Sequence, residues 1–176
     1  MVPYDAQLKS HYLAYELLKR KLRISYVHQV TKSIKVEDLR NIYKNIHRGL
    51  KPSSGMLPGI ERIPQNKESL LYASLFASLY RNASQLEISA DIDIPAMLFA
   101  WDFFCDMFPN HSRERRPYTK VRPANFTEAW VIAQALKIGL ADLPYCEKCH
   151  GNTLVIYNSK FPLGCQICAL NKTRKP

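Results

Sequence analysis

Four cysteines near the C-terminal end of the sequence fall into two pairs of identical spacing, Cys146-Glu147-Lys148-Cys149 and Cys165-Gln166-Ile167-Cys168, with 15 residues between them. A C-x2-C pair lets two thiolates converge from one tight knuckle, and two knuckles supply a tetrahedral all-sulfur shell. His150-Gly151 follows the first pair and Gly164 precedes the second, so glycine is at hand where each knuckle must bend. The expected occupant is structural Zn2+ held by Cys146, Cys149, Cys165 and Cys168; iron is a chemical alternative that four thiolates also accept. His150 is a second candidate ligand. Two disulfides would be the competing use of these thiols, and a cytosolic setting argues against them. Cys105, alone on an apolar helix face, reads as a small buried hydrophobe.

A closed four-sulfur shell has no open position for an activated water. The zinc deaminase pattern is also missing: Tyr145 separates Pro144 from Cys146, and His111 and Glu114 have the wrong spacing. No Walker A loop, G-x-S-x-G elbow, H-E-x-x-H or dinucleotide-binding glycine fingerprint is present. The sequence therefore points to a non-enzymatic role.

Charge indicates a partner class. The net charge is +10 over 176 residues. Residues 1–51 carry 11 Lys/Arg and 4 Asp/Glu, net +7; residues 52–110 carry 3 and 7, net −4; residues 111–176 carry 11 and 4, net +7. Two basic ends around an acidic middle suit a polyanion, because each neutralised phosphate releases a condensed counterion. A solvated basic surface is the plainer alternative. The start, Met1-Val2-Pro3-Tyr4, lacks a basic-then-apolar signal pattern, and the uncharged run Ser69–Tyr80 is too short to span a bilayer. A cytoplasmic protein without a membrane partner is expected.

The elements that must position these groups read as helices. Gln7–Arg23 shows Leu8, Tyr12, Tyr15, Leu18 and Leu22 at three- and four-residue steps, which predicts its core face. Ile24, Val27 and Val30 mark a short second helix. Lys32-Ser33-Ile34 is a turn with one apolar plug, and Lys35–His47 is a third helix with Val36, Leu39, Ile42, Tyr43 and Ile46 facing inward. Lys51–Gln65 is a Pro, Ser and Gly-rich loop expected to pack through Met56 and Leu57. Asn66–Gln85 resumes as a helix with Leu70, Leu71, Leu75, Phe76, Leu79 and Tyr80 buried. Its Ala73, Ser74, Ala77 and Ser78 would let a neighbour approach closely. Asp93 caps a helix reaching Phe108, with Pro95 in the first turn, where a missing N–H costs little. A basic loop, His111–Pro123, follows. Thr127–Ile138 is the last long helix, capped by Thr127 or Asn125 and stopped by Gly139. Thr153–Tyr157 followed by Asn158-Ser159-Lys160 predicts a ribbon hairpin between the cysteine pairs.

Helix, short turn, helix from Ile24 to Ile46 is the order of a helix-turn-helix. The face of Lys35–His47 opposite its core stripe offers Lys35, Asp38, Asn41, Lys44, Asn45 and Arg48, with Arg40 on the flank. Asparagine can pair with adenine, and Arg or Lys with guanine or phosphate. An ordinary helical hairpin with a solvated face would show a similar pattern. The candidate DNA-binding residues are Lys35, Arg40, Asn41, Lys44 and Arg48, joined by Arg113, Arg115, Arg116 and Lys120 of the basic loop. The last four are chosen on charge, not on a motif.

Several of these features together resemble the FlhC family, the flagellar master transcriptional activator subunits of bacteria. They are Gly55-Met56-Leu57-Pro58 after the presumed helix-turn-helix, Ala129-Trp130 in the last long helix, and Gly139-Leu140 and Leu143 before the paired cysteines. The resemblance implies a mostly helical fold with a four-cysteine zinc site, an FlhD-like partner subunit in a hetero-oligomer, and binding to double-stranded promoter DNA read by RNA polymerase. It carries the zinc ligands to Cys146, Cys149, Cys165 and Cys168. The basic loop Arg113–Arg122 and the stop eight residues after Cys168 depart from enteric flagellar members. Relatives on mobile genetic elements activate conjugative-transfer genes, so the expected targets are flagellar or conjugative-transfer operons.

The expected architecture is mainly α. A helical domain over residues 1–143 contains the helix-turn-helix-like unit and binds DNA and partner. Residues 144–176 form a small zinc-ribbon-like module with a basic tail. A zinc-stabilised protein-interaction module, or an RNA-binding zinc ribbon stacking bases on Tyr145, Tyr157 and Phe161, are the alternatives.

Overall fold

Helix α1 (Tyr4–Lys19) ends where Lys21 takes a left-handed conformation (φ +62°). Lys21 N–H then donates to the Leu18 carbonyl and Leu22 N–H to the Leu17 carbonyl, the paired bonds of a Schellman stop. In the computed structural model, which describes residues 4–109 and 124–172, the buried side of α1 is Ala14, Leu17 and Leu18, with Leu22 buried in the turn that follows. This corrects the expected core face and helix length: Leu8, Tyr12 and Tyr15 are exposed. Both stripes have helical spacing, and docking of the neighbouring helices selects the one containing alanine.

Helices α2 (Ile24–Thr31) and α3 (Val36–Ile46) complete a three-helix unit over residues 1–56. Ile24 and Val27 of α2, Ile34 of the turn, and Leu39 and Tyr43 of α3 are buried against α1. Each fully buried aliphatic side chain contributes about 1.5–3 kcal/mol. Two histidines tie the unit internally: His28 Nδ1 donates to the Ile34 carbonyl at 3.0 Å, and His47 Nε2 to the Leu18 carbonyl at 2.9 Å. Arg23 holds the segment after α3 by donating to the Gly55 and Met56 carbonyls. The Met56 side chain, expected to pack, is 92% exposed.

The second unit, residues 57–176, is built on α4 (Lys67–Ala83), α5 (Ile94–Met107) and α6 (Phe126–Lys137), with a 3-10 turn at Ile60–Arg62. Their starts are chemically marked. Asn66 and Ser69 form a reciprocal capping box on α4, Asn125 and Glu128 form one on α6, and Asp93 Oδ1 accepts from Ala96 N–H on α5. Asp93 also accepts from Gln85 N–H at 3.0 Å, which fixes the α4–α5 connection. Gly139 (φ +73°) ends α6, with Leu140 N–H donating to the Ala135 carbonyl.

The buried face of α4 is Leu70, Ala73, Ser74, Phe76, Ala77 and Tyr80; Leu71, Leu75 and Leu79, expected in the core, are only half-buried. The small residues admit α5 and α6 closely, and the contact fills with rings. Phe76, Trp101 and Phe104 meet one another at centroid distances of 5.7–6.2 Å, and Phe126 joins at Trp101. No helix among the described residues is long and apolar enough to cross a membrane.

The strand pairing differs from the expected hairpin. β2 (Val155–Ile156) pairs antiparallel with β1 (Ala141–Asp142), which precedes the first cysteine pair, in the register Ala141↔Ile156 and Asp142↔Val155. A bridge between Tyr145 and Asn152 extends the ribbon to the first knuckle. The second cysteine pair opens helix α7 (Gln166–Lys172), which packs on α4. The fold is mainly α with a small ribbon-like cysteine module, as the sequence indicated.

Candidate metal centre and nucleic-acid interface

The first knuckle is a closed loop. Cys146 N–H donates to the Gly151 carbonyl at 2.9 Å and His150 N–H to the Cys146 carbonyl at 2.8 Å. His150, not Gly151, takes the left-handed conformation (φ +55°), which corrects the role expected of that glycine. The turn aims N–H groups of Lys148 and Cys149 at the Cys146 sulfur, and that of Gly151 at the Cys149 sulfur. The second knuckle uses the first turn of α7. Cys168 N–H points to the Cys165 sulfur, and buried Gln166 pins the approach by donating to the Pro162 and Gly164 carbonyls.

The four sulfurs lie within 4.8 Å of one another. The pair Cys146 and Cys168 is 3.7 Å apart, and Cys149 and Cys165 are 3.5 Å apart. A disulfide needs about 2.0 Å, whereas a tetrahedron with 2.3 Å metal–sulfur bonds has an edge of about 3.8 Å. The two pair spacings are near that edge and far from a disulfide, and all four sulfurs converge, so the cluster can hold a metal ion. His150 is not among the converging ligand atoms; its Nδ1 is hydrogen-bonded to the Tyr145 hydroxyl at 2.7 Å. Cys105 lies outside it too, on α5, and is half-buried instead of fully buried.

Electrostatics within the cluster explain why a cation suits it. Burial works against ionisation of Cys165, but the Thr153 hydroxyl, the Cys168 N–H and the neighbouring thiols outweigh it and lower the group to about 6. Cys168 is pushed up to about 12, first by burial and then by its hydrogen bonds to the other three sulfurs. Cys149 is drawn down by the Gly151 N–H, but the Cys165 thiol and burial leave it above its ordinary value. Cys146 lies below its ordinary value because the Cys149 and Lys148 N–H groups favour its thiolate.

At pH 7 the metal-free cluster therefore keeps protons on at least Cys149 and Cys168. A divalent cation must displace them, so its affinity rises with pH and is lost on acidification. Each displaced proton corresponds to about a 10-fold gain per pH unit, so at least two correspond to at least about a 100-fold gain. Chelator competition between pH 6.5 and 8 should show this slope; a flat profile would contradict the proton inventory.

The candidate nucleic-acid residues of the first unit, Lys35, Arg40, Asn41, Lys44 and Arg48, are all exposed. At 100° per residue, Asn41 and Lys44 lie on the side of α3 away from buried Leu39 and Tyr43, with Arg40 on its flank. Lys35 caps the helix and Arg48 follows it (φ +52°). Glu37, overlooked in the sequence, sits on that same side; with Asp38 it complements the positive end of the helix. Arg113, Arg115, Arg116 and Lys120 lie outside the described residues.

Similarity to known proteins is consistent along the chain. The family model described as flagellar transcriptional activator (FlhC) matches residues 6–175. A flagellar transcriptional regulator FlhC from Nitrosomonas eutropha is 28% identical over 144 residues, covering 81% of this chain and 69% of that protein. One from Proteus mirabilis is 25% identical over 158 residues, covering 90% of this chain and 76% of that protein. With nearly the whole sequence matched by one model, the chain belongs to the FlhC family of flagellar transcriptional activators.

Proposed function

We propose that this protein is the DNA-binding subunit of a cytoplasmic transcriptional activator that works with an FlhD-like subunit on double-stranded promoter DNA recognised by RNA polymerase. The observation that carries the reading is the division of α3 into two sides, Leu39 and Tyr43 buried and Arg40, Asn41 and Lys44 exposed. A recognition helix needs that division, with a rigid back and a polar front the width of a major groove. Asn41 suits adenine, Arg40 and Lys44 suit guanine or phosphate, and Glu37 can accept from a cytosine amino group. Lys35 and Arg48 flank the helix as phosphate contacts, and the basic loop residues Arg113, Arg115, Arg116 and Lys120 add charge. Family membership makes flagellar operons the first targets, with conjugative-transfer operons the other arm of the test.

The cysteine cluster takes Zn2+ in this reading and serves structure, since its four thiolates complete the shell. Lys160 is engaged locally, donating to the Gln65 carbonyl at 2.7 Å, so its role lies in fastening the module to the start of α4. The partner surface is assigned to the outer side of α5, where exposed Phe99, Phe103 and Met107 run at four-residue steps beside Asp102 and Asp106. It would meet an FlhD-like subunit through an apolar face edged with basic residues.

Fluorescence anisotropy on flagellar and transfer promoter duplexes, with and without the FlhD-like subunit, tests the reading. Binding should weaken steeply with salt, and replacing Arg40 and Lys44 by alanine should lower the slope of log K against log salt by about 2. No duplex binding in either case would leave a protein-interaction module. A preference for single-stranded RNA would favour the RNA-binding ribbon, for which Tyr145 and Tyr157 are exposed.

A further inference from the structure

Thr153 lies between the metal cluster and the helical body. Its side chain is 2% exposed, and its hydroxyl is 3.3 Å from the Cys165 sulfur. The residues after it, Leu154, Val155 and Ile156, are buried and apolar. A valine would fill the same space, so a hydroxyl here is accounted for by what it bonds to: a buried hydroxyl without a partner is costly. When a metal is bound, Cys165 is a thiolate and can only accept, so the Thr153 hydroxyl is the donor.

The backbone on either side of Thr153 is held by α4. Leu154 N–H donates to Ser74 Oγ at 3.0 Å, and Ser74, itself buried, donates onward to the Leu70 carbonyl at 2.8 Å. Two turns along the same side of α4, Arg81 donates to the Leu143 carbonyl at 3.0 Å and approaches Asn152 Oδ1 at 3.4 Å. The segment that carries the hydroxyl to Cys165 is thus fixed from behind.

We propose that Thr153 is a positioning residue of the metal centre: its hydroxyl, beside the Cys165 sulfur, orients that sulfur at the coordinating position, and Ser74 fixes Thr153 in place through the Leu154 backbone. This rests on the reading of the four cysteines as a metal site. Four thiolates around one divalent cation carry a net charge of −2, and a hydroxyl donated to one of them stabilises that charge and blunts the sulfur as a nucleophile. Loss of a second-layer hydrogen bond of this kind lowers metal affinity by about 10–100-fold.

The test uses the full chain loaded with Zn(II) alone. Zinc affinity is read by competition with a chromophoric chelator, and reactivity by iodoacetamide alkylation of the loaded protein, located by mass spectrometry. Thr153→Val is expected to weaken zinc binding at least about 10-fold and to speed alkylation at Cys165 above the other three cysteines. Thr153→Ser, which keeps the hydroxyl, should restore both. Ser74→Ala should shift both readouts the same way by a smaller factor, and it remains informative if the valine variant folds poorly. If the wild-type chain binds zinc and Thr153→Val matches it in both readouts, the proposal is overturned while the metal site stands. A serine variant as impaired as the valine one would also overturn it, because shape and not the hydroxyl would then be at work. Failure of Ser74→Ala to move either readout would remove the link to α4. A wild-type chain that takes up no zinc would end both the metal reading and this one.

Discussion

Replacing Cys168 with serine is expected to abolish metal binding by the four-cysteine cluster and melt α7. That helix has seven residues, Gln166–Lys172, and a segment so short does not hold its shape in water on local hydrogen bonds alone. Its first turn is instead organised by Cys165 immediately before it and by Cys168 within it. Structural zinc binding supplies about 10–16 kcal/mol in small zinc-dependent peptides at neutral pH. Losing one of four ligands forfeits a large part of whatever this site contributes. Metal content after dialysis should fall from near one equivalent to a small fraction, and amide exchange in α7 should approach that of an unfolded chain. The first knuckle should suffer less, because its ribbon is also held by β1 pairing with β2 and by the Tyr145–Asn152 bridge. Retention of stoichiometric metal by the serine variant would show that Cys168 is not a ligand.

Phe104→Ala is expected to produce the largest loss of stability from a single core side chain. Phe104 is fully buried and meets Phe76 edge-on at 6.2 Å, stacks on Trp101 at 5.7 Å and contacts Phe108 at 5.3 Å. Truncation removes the transfer free energy of a ring and leaves a cavity whose walls are themselves rings, on two helices, α4 and α5, and on the turn beyond α5. A site lined in this way collapses poorly, so the cost should lie in the upper part of the range of about 3–5 kcal/mol. Against a total stability of about 5–15 kcal/mol for a domain, that is enough to populate the unfolded form under mild heating. Urea unfolding, followed by the fluorescence of Trp101 and Trp130, both buried in this unit, would measure it. A midpoint shift equivalent to less than about 1 kcal/mol would mean that the ring cluster is looser than its geometry indicates.

Features set by local chemistry were readable from the sequence. Asp93 and Asn125 cap their helices as their residue types imply, Gly139 stops α6, and paired cysteines of matching spacing converge. The features that were missed depend on distant neighbours. In α1 two overlapping stripes, Leu8–Tyr12–Tyr15 and Ala14–Leu17–Leu18, satisfy the same periodicity, and only the arrival of α2 and α3 decides between them. In α4 the buried side is the one lined with alanine and serine, which weigh little in an apolar pattern. Those residues are what allow α5 and α6 to come close. The partner of β2 could not be read from a neighbouring turn, because the Asn158 region does not form the hairpin and the pairing runs back to Ala141–Asp142. Thr153 carries no sequence signal at all; its importance appears only when the strand places it beside Cys165.

Helix α4 grips the cysteine module by its main chain: Ser74 takes the Leu154 N–H, and Arg81 reaches the Leu143 carbonyl. Main-chain groups are the same whatever side chain a residue bears. These hydrogen bonds therefore place little demand on the outward-facing side chains of the module, while they demand a hydroxyl at position 74 and a long cationic donor at position 81. Evolutionary drift in the outward-facing residues of the module, Glu147 and Lys148 among them, can proceed without loosening its seat. A module mounted in this way can acquire a new surface specificity while its helical base stays unchanged.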